Sequence, residues 1–79
     1  MNLEVEVIRR AVRDLHGAKQ EQAESSLRYL NSESFIKDCK CSAIDSDWVK
    51  SEVYKAMREE GARRKYLINR LSNELINYS

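Results

Sequence analysis

Apolar residues fall in helical register along most of this chain. Val5, Ile8, Val12 and Leu15 are spaced three, four and three, with Val7 and Ala11 widening the stripe, which predicts a core-facing helix over 3–15. Arg9, Arg10 and Arg13 fall on or beside the opposite side and read as a solvated face. Gly17 stands where a helix C-terminus takes a left-handed residue, with His16 in the last turn. Ala23, Leu27 and Leu30 predict a second helix over 18–30, interrupted at Asn31 and Ser32. Ser32 is an N-cap candidate with Glu33 behind it, opening a short third helix that buries Phe35, Ile36 and Cys39 and ends near 41–42. Asp45 is a second N-cap, with Asp47 in the first turn of the helix that follows.

From there Trp48, Val49, Val53, Ala56 and Met57 make a new stripe. Residues 58–65 hold no large apolar side chain, and Tyr66, Leu67, Leu71, Leu75 and Tyr78 then resume the pattern. Gly61 leaves two readings open. Eighteen residues are five turns, so Leu71 is in phase with Val53 and Leu75 with Met57, as one helix over 46–77 requires. That helix would span about 48 Å at ~1.5 Å per residue, against roughly 30 Å for a compact chain of this length. Either it protrudes and pairs with a second copy, or it kinks at Gly61. The first option makes Leu67, Leu71, Leu75 and Tyr78 a homodimer interface, and the expectation leans towards a kinked or paired long helix.

Composition supports an all-α fold of four or five helices in one domain. The 79 residues include no Pro and two Gly, so few positions break a helix. No long apolar run exists, which argues against a membrane span or a signal-peptide core; a cytoplasmic protein is expected. Cys39 and Cys41 do not make a disulfide framework, and His16 is the single His, so neither a staple nor a structural zinc site is expected. Trp48 is expected to close over Phe35 as a core anchor.

Fourteen basic and thirteen acidic side chains leave a net charge of +1. Residues 1–45 carry seven basic and eight acidic groups, and residues 46–79 seven and five, so the excess positive charge sits in the second half. Strong non-specific nucleic-acid binding is not expected from this balance. The best basic patch is Arg58, Arg63, Arg64, Lys65 and Arg70, interleaved with Glu59 and Glu60.

Residues 36–54, IKDCKCSAIDSDWVKSEVY, resemble the helix-turn-helix of bacterial repressors. The resemblance makes Cys39 the small residue of the first helix and puts Ala43 where a turn glycine usually stands. It makes Ile44 the apolar residue after the turn, Asp45 the cap, and Val49 and Val53 the inward face of the second helix. It implies outward positions at Ser46, Asp47, Lys50, Ser51 and Lys55. Ala43 has less freedom at positive φ than glycine, and Asp45 and Asp47 put carboxylates at the end that would meet phosphates. Residues 23–57 are also similar to small helical proteins carried by bacteriophages and prophages, which implies a mobile-element origin and nothing catalytic.

No glycine loop suits a phosphate, and His16 beside Asp14 has no nucleophile turn nearby. A non-enzymatic binding protein without a cofactor or small-molecule substrate is expected. Two functions stay open. One is a phage-type DNA-binding regulator that reads DNA with residues 46–55 and sets the Arg9–Arg13 and Arg58–Lys65 groups on phosphates. The other is an inhibitor or adaptor that binds a host protein, such as a defence nuclease in the manner of anti-CRISPR proteins. The turn pattern favours the first and the balanced charge the second.

Overall fold

Five α-helices carry the chain in the computed structural model, which describes residues 3–16 and 19–78. They are α1 (Leu3–Asp14), α2 (Gln20–Leu30), α3 (Glu33–Cys41), α4 (Ser46–Met57) and α5 (Gly61–Leu75), followed by a 3₁₀ turn at Ile76–Tyr78. There is no strand among the described residues, and the fold is all-α as expected. The expected cap at Gly17 and helix start at Ala18 lie outside the described residues.

Val5, Ile8, Val12 and Leu15 are all buried, and they meet Leu30, Phe35, Cys39, Ile44, Val49, Val53, Ala56, Ile68, Leu71 and Leu75 in one core. Among the expected stripe residues Val7 is half exposed, Ile36 lies on the solvent side of α3 and Tyr66 turns outward from α5. Phe35 sits at the centre, edge-on to Tyr29 with ring centroids 5.7 Å apart. Trp48 does not close over it. The indole lies half-buried at the margin of the core, against Tyr78 at 6.4 Å, and the group over the Phe35 ring is the Lys50 ammonium.

Both expected N-caps form. The Ser32 hydroxyl accepts from the Phe35 amide at 3.4 Å. The Asp45 carboxylate accepts from the amides of Asp47 and Trp48 at 2.9 and 3.3 Å. Between them, α3 ends in a left-handed turn. Ala43 takes φ +57°, its amide donates to the Lys40 carbonyl at 3.3 Å, and the Ile44 amide reaches back to the Cys39 carbonyl at 2.9 Å. This double closure is a Schellman motif, in which a left-handed residue lets two amides satisfy the last free carbonyls. Ile44 and Cys39 are both buried and supply the apolar contact that accompanies it. Alanine in this conformation is strained by about 1 kcal/mol relative to glycine.

The long C-terminal stretch breaks. The last amides of α4 close its final turn, Arg58 onto the Tyr54 carbonyl and Glu59 onto that of Ala56. Gly61 then takes φ +60°. A Cβ there would meet nothing within 4 Å, so backbone conformation rather than space favours glycine. The Arg64 guanidinium spans the break, donating to the Glu59 carbonyl at 2.8 Å and the Met57 carbonyl at 3.0 Å. Chain reversal makes α4 and α5 antiparallel: Arg64 meets the end of α4, while Tyr78 lies on Trp48 near its start.

Reversal takes Leu71 and Leu75 out of the expected dimer interface. Leu71 and Leu75 are 3% and 0% exposed, inside the chain's own core. Leu67 packs on the edge of that core, and Tyr78 on Trp48. The phase match of the two stripes is satisfied by facing each other across a hairpin, not by continuing along one helix. On the far side, Arg9 ties α1 to α5: its Nε donates to the Ser72 carbonyl at 3.0 Å and its Nη1 to Glu6 at 3.0 Å. Arg9 is therefore not part of a purely solvated face.

Stability should respond to two substitutions in opposite directions. Leu71→Asp buries a carboxylate and removes a core side chain, and should unfold the monomer, a loss of at least ~3 kcal/mol; a variant that keeps its helical circular dichroism and only changes sedimentation would contradict it. Ala43→Gly should relieve the left-handed strain and raise the thermal midpoint by roughly 4–8 °C for about 1 kcal/mol; a lowered midpoint would contradict the turn.

Candidate nucleic-acid interface

Helical spacing brings most of the expected outward positions of α4 together. Asp47, Lys50, Ser51, Tyr54, Lys55 and Arg58 line one shallow depression along this helix, as positions three and four apart must. Ser46 lies in the first turn and is partly buried. The basic run 58–65, by contrast, is split four ways, by the break after α4 and because successive helical residues point about 100° apart. Arg58 stays on the α4 face. Arg63 is held by Glu59 on the surface at 3.4 Å, and Arg64 closes the α4–α5 break. Lys65 turns to the groove between α1 and α5, which Arg10, Arg13 and His16 also line.

Each cation on the α4 face has a distinct setting. The Lys50 ammonium stands 5.9 Å from the centre of the Phe35 ring, so its stem covers apolar surface while the charge stays at the edge. Lys55 is loosely paired with Glu52 at 3.7 Å, both ends solvated, and a pair of that kind gives way readily to a stronger anion. Arg58 makes no ion pair among the described residues. Asp47 is the one carboxylate lining the depression. At the start of α4 the Asp45 carboxylate already takes the amides of Asp47 and Trp48 and adds a negative charge there. The cations this face presents, Lys50, Lys55 and Arg58, stand in the middle and at the end of the helix.

Tyr54 is an addition to the expected site residues. It is half exposed, and its hydroxyl donates to the Asn31 side chain at 3.4 Å. Its position four after Lys50 and next to Lys55 is the signal the sequence offers: an aromatic ring set between cations presents a flat face for stacking.

Among the described residues no group of three or more His, Cys, Asp or Glu side chains is placed to hold a metal ion. No described helix is long and apolar enough to cross a membrane. Cys39 is buried and Cys41 exposed. Burial pushes the Cys39 thiol up to about 11, with the charges of Asp38 and Asp45 adding to it and Lys50 opposing. Tyr29 donates to Asp38 at 2.6 Å. Burial first, and then that hydrogen bond and the Asp38 charge, push its phenol above the ordinary tyrosine range. No family model matches the chain, and neither does any curated protein or solved structure.

Both raised groups release their protons more readily from the unfolded chain. Stability from this source is complete below the ordinary thiol value of 9.0 and falls as pH climbs towards about 11. Urea unfolding at pH 7 and pH 10 should show the decline, and Tyr29→Phe should lessen it; equal stabilities would contradict the buried settings. At pH 8 a thiol reagent should label Cys41 at once and Cys39 only after unfolding, and simultaneous labelling would contradict the burial of Cys39.

Proposed function

We propose that this protein is a non-enzymatic DNA-binding regulator that uses α3, the turn at 42–45 and α4 as a helix-turn-helix, with α4 as the reading helix. The observation that carries this reading is the α3–α4 corner. Ala43 adopts the left-handed conformation that such a turn requires although it is not glycine, and beyond the turn α4 presents Lys50, Ser51, Tyr54, Lys55 and Arg58 on one face. Lysine and arginine suit phosphates and guanine edges, and Ser51 suits either bases or backbone. Because Asp45 caps the helix start, the contacts run along α4 rather than at its tip. The resemblance of 23–57 to phage-borne helical proteins supports placing such a regulator on a mobile element acting in a bacterial cytoplasm. Any pairing of two copies has to use a surface other than Leu71 and Leu75.

A second reading, an inhibitor or adaptor that binds a host protein such as a defence nuclease, is favoured by one observation. Asp47 sits among the cations of the α4 face, a mixed-sign surface better matched by another protein than by a polyanion.

Anisotropy of a fluorescent duplex of about two turns, titrated at several salt concentrations, separates the two. Lys50→Ala and Arg58→Ala should each weaken binding and flatten the salt slope by roughly 0.9 for each phosphate no longer neutralised, while Arg63→Ala should leave the slope unchanged. Absence of binding at low salt, or a slope that ignores Lys50 and Arg58, would overturn the DNA reading in favour of a protein target.

A further inference from the structure

The groove between α1 and α5 is a second surface, apart from the α4 face, and it gathers Arg10, Arg13 and Lys65, cations that the sequence reading of a DNA regulator sets on phosphates. It joins two features that seldom occur together on a solvated face. Along α1, Leu3 and Val7 stand one turn apart at 74% and 49% exposure, and Arg10 and Arg13 continue the same groove wall over the next turns, with Lys65 and Asn69 of α5 opposite. Arg10, Arg13 and Lys65 make no ion pair among the described residues. Other cations on these helices are spoken for, Arg9 by Glu6 and the Ser72 carbonyl, Arg63 by Glu59, Arg64 by the end of α4, and Arg70 by Glu74. Glu6, Arg9, Asp14 and His16 also line the groove; Glu6 is taken by Arg9, and the three uncommitted cations outweigh the remaining carboxylate, Asp14.

We propose that this groove docks an acidic amphipathic helix of a partner protein, with apolar side chains over Leu3 and Val7 and carboxylates over Arg10, Arg13 and Lys65. Charge complementarity selects an anionic partner, and the exposed aliphatic pair decides which kind. A DNA backbone would leave Leu3 and Val7 against hydrated phosphates, whereas a helix laid in the groove desolvates them and answers the cations with the same face. α1 is twelve residues long, so a partner helix of about three turns matches it. The site is separate from the α4 face, and binding there gives a protein partner a hold that leaves α4 open.

The test uses the full chain, isotope-labelled for NMR, and three probes. The first is a fourteen-residue helical peptide with two leucines one turn apart and three glutamates along the same face. The second has the same composition with the leucines moved to the opposite face, and the third is a random duplex. The first peptide is expected to shift the amides of α1 and of 65–69, and the second to bind about tenfold more weakly. Val7→Asp and Arg10→Glu, both at solvent-accessible positions, should each weaken the first peptide by about tenfold while preserving the circular dichroism and the α4 response to duplex. Equal binding of the two peptides, or no shift in α1, would overturn the proposal. So would a duplex that shifts the α1 amides and loses affinity with Arg10→Glu, since the groove would then be a phosphate contact. Failure of α4 to bind DNA is read from the duplex arm alone and leaves the peptide result standing.

Discussion

The reversal of the chain after α4 is the constraint on which the rest of the structure depends. Residues 46–77 carry two stripes in phase with each other, and as one helix they would leave leucines unburied in a lone molecule. Two local devices prevent it. Gly61 takes the left-handed conformation that turns the chain, and Arg64 donates to the carbonyls of Met57 and Glu59 that the broken helix leaves open. With α5 folded back, Ile68, Leu71 and Leu75 complete a core that α1 and α4 cannot close alone. For 79 residues this matters: a chain of this size has little apolar surface to spare, and the side of the core that α5 closes would otherwise depend on a partner.

What lies outside follows from what was drawn inside. Once α5 occupies the space between α1 and α4, the outer side of α4 is left with Lys50, Ser51, Tyr54, Lys55 and Arg58, and the seam between α1 and α5 with Arg10, Arg13 and Lys65. Two left-handed residues bracket α4, Ala43 before it and Gly61 after it. They aim the helix at both ends, and its N-cap by Asp45 adds a negative charge at its start. The two surfaces differ in kind. The α4 face is polar with one aromatic ring, whereas the α1–α5 groove adds exposed aliphatic side chains to its cations.

Much of this is legible in the sequence where a signal is local. The core residues of the α1 stripe and the caps at Ser32 and Asp45 each rest on residues within one or two turns of each other, and each is found in the structure. The break at Gly61 cannot be decided that way, because a stripe in phase over eighteen residues serves a continuous helix and a hairpin equally. Arg64 and Arg9 show the other limit. Both read as charges on a solvated face, yet each reaches main-chain carbonyls, five and seven residues back for Arg64 and sixty-three residues ahead for Arg9. The setting of Trp48 is hidden for the same reason: its neighbour, Tyr78, is brought to it only by the chain reversal.

The measurement that reaches the central claim most directly is proton cross-relaxation between the rings of Trp48 and Tyr78, recorded on a mixture of isotope-labelled and unlabelled protein. The folded-back chain places the ring centres 6.4 Å apart and predicts contacts within one molecule. A continuous helix would separate the two residues by about 45 Å. Contacts that are absent, or that arise only between differently labelled copies, would contradict the hairpin and return Leu71 and Leu75 to an interface between molecules.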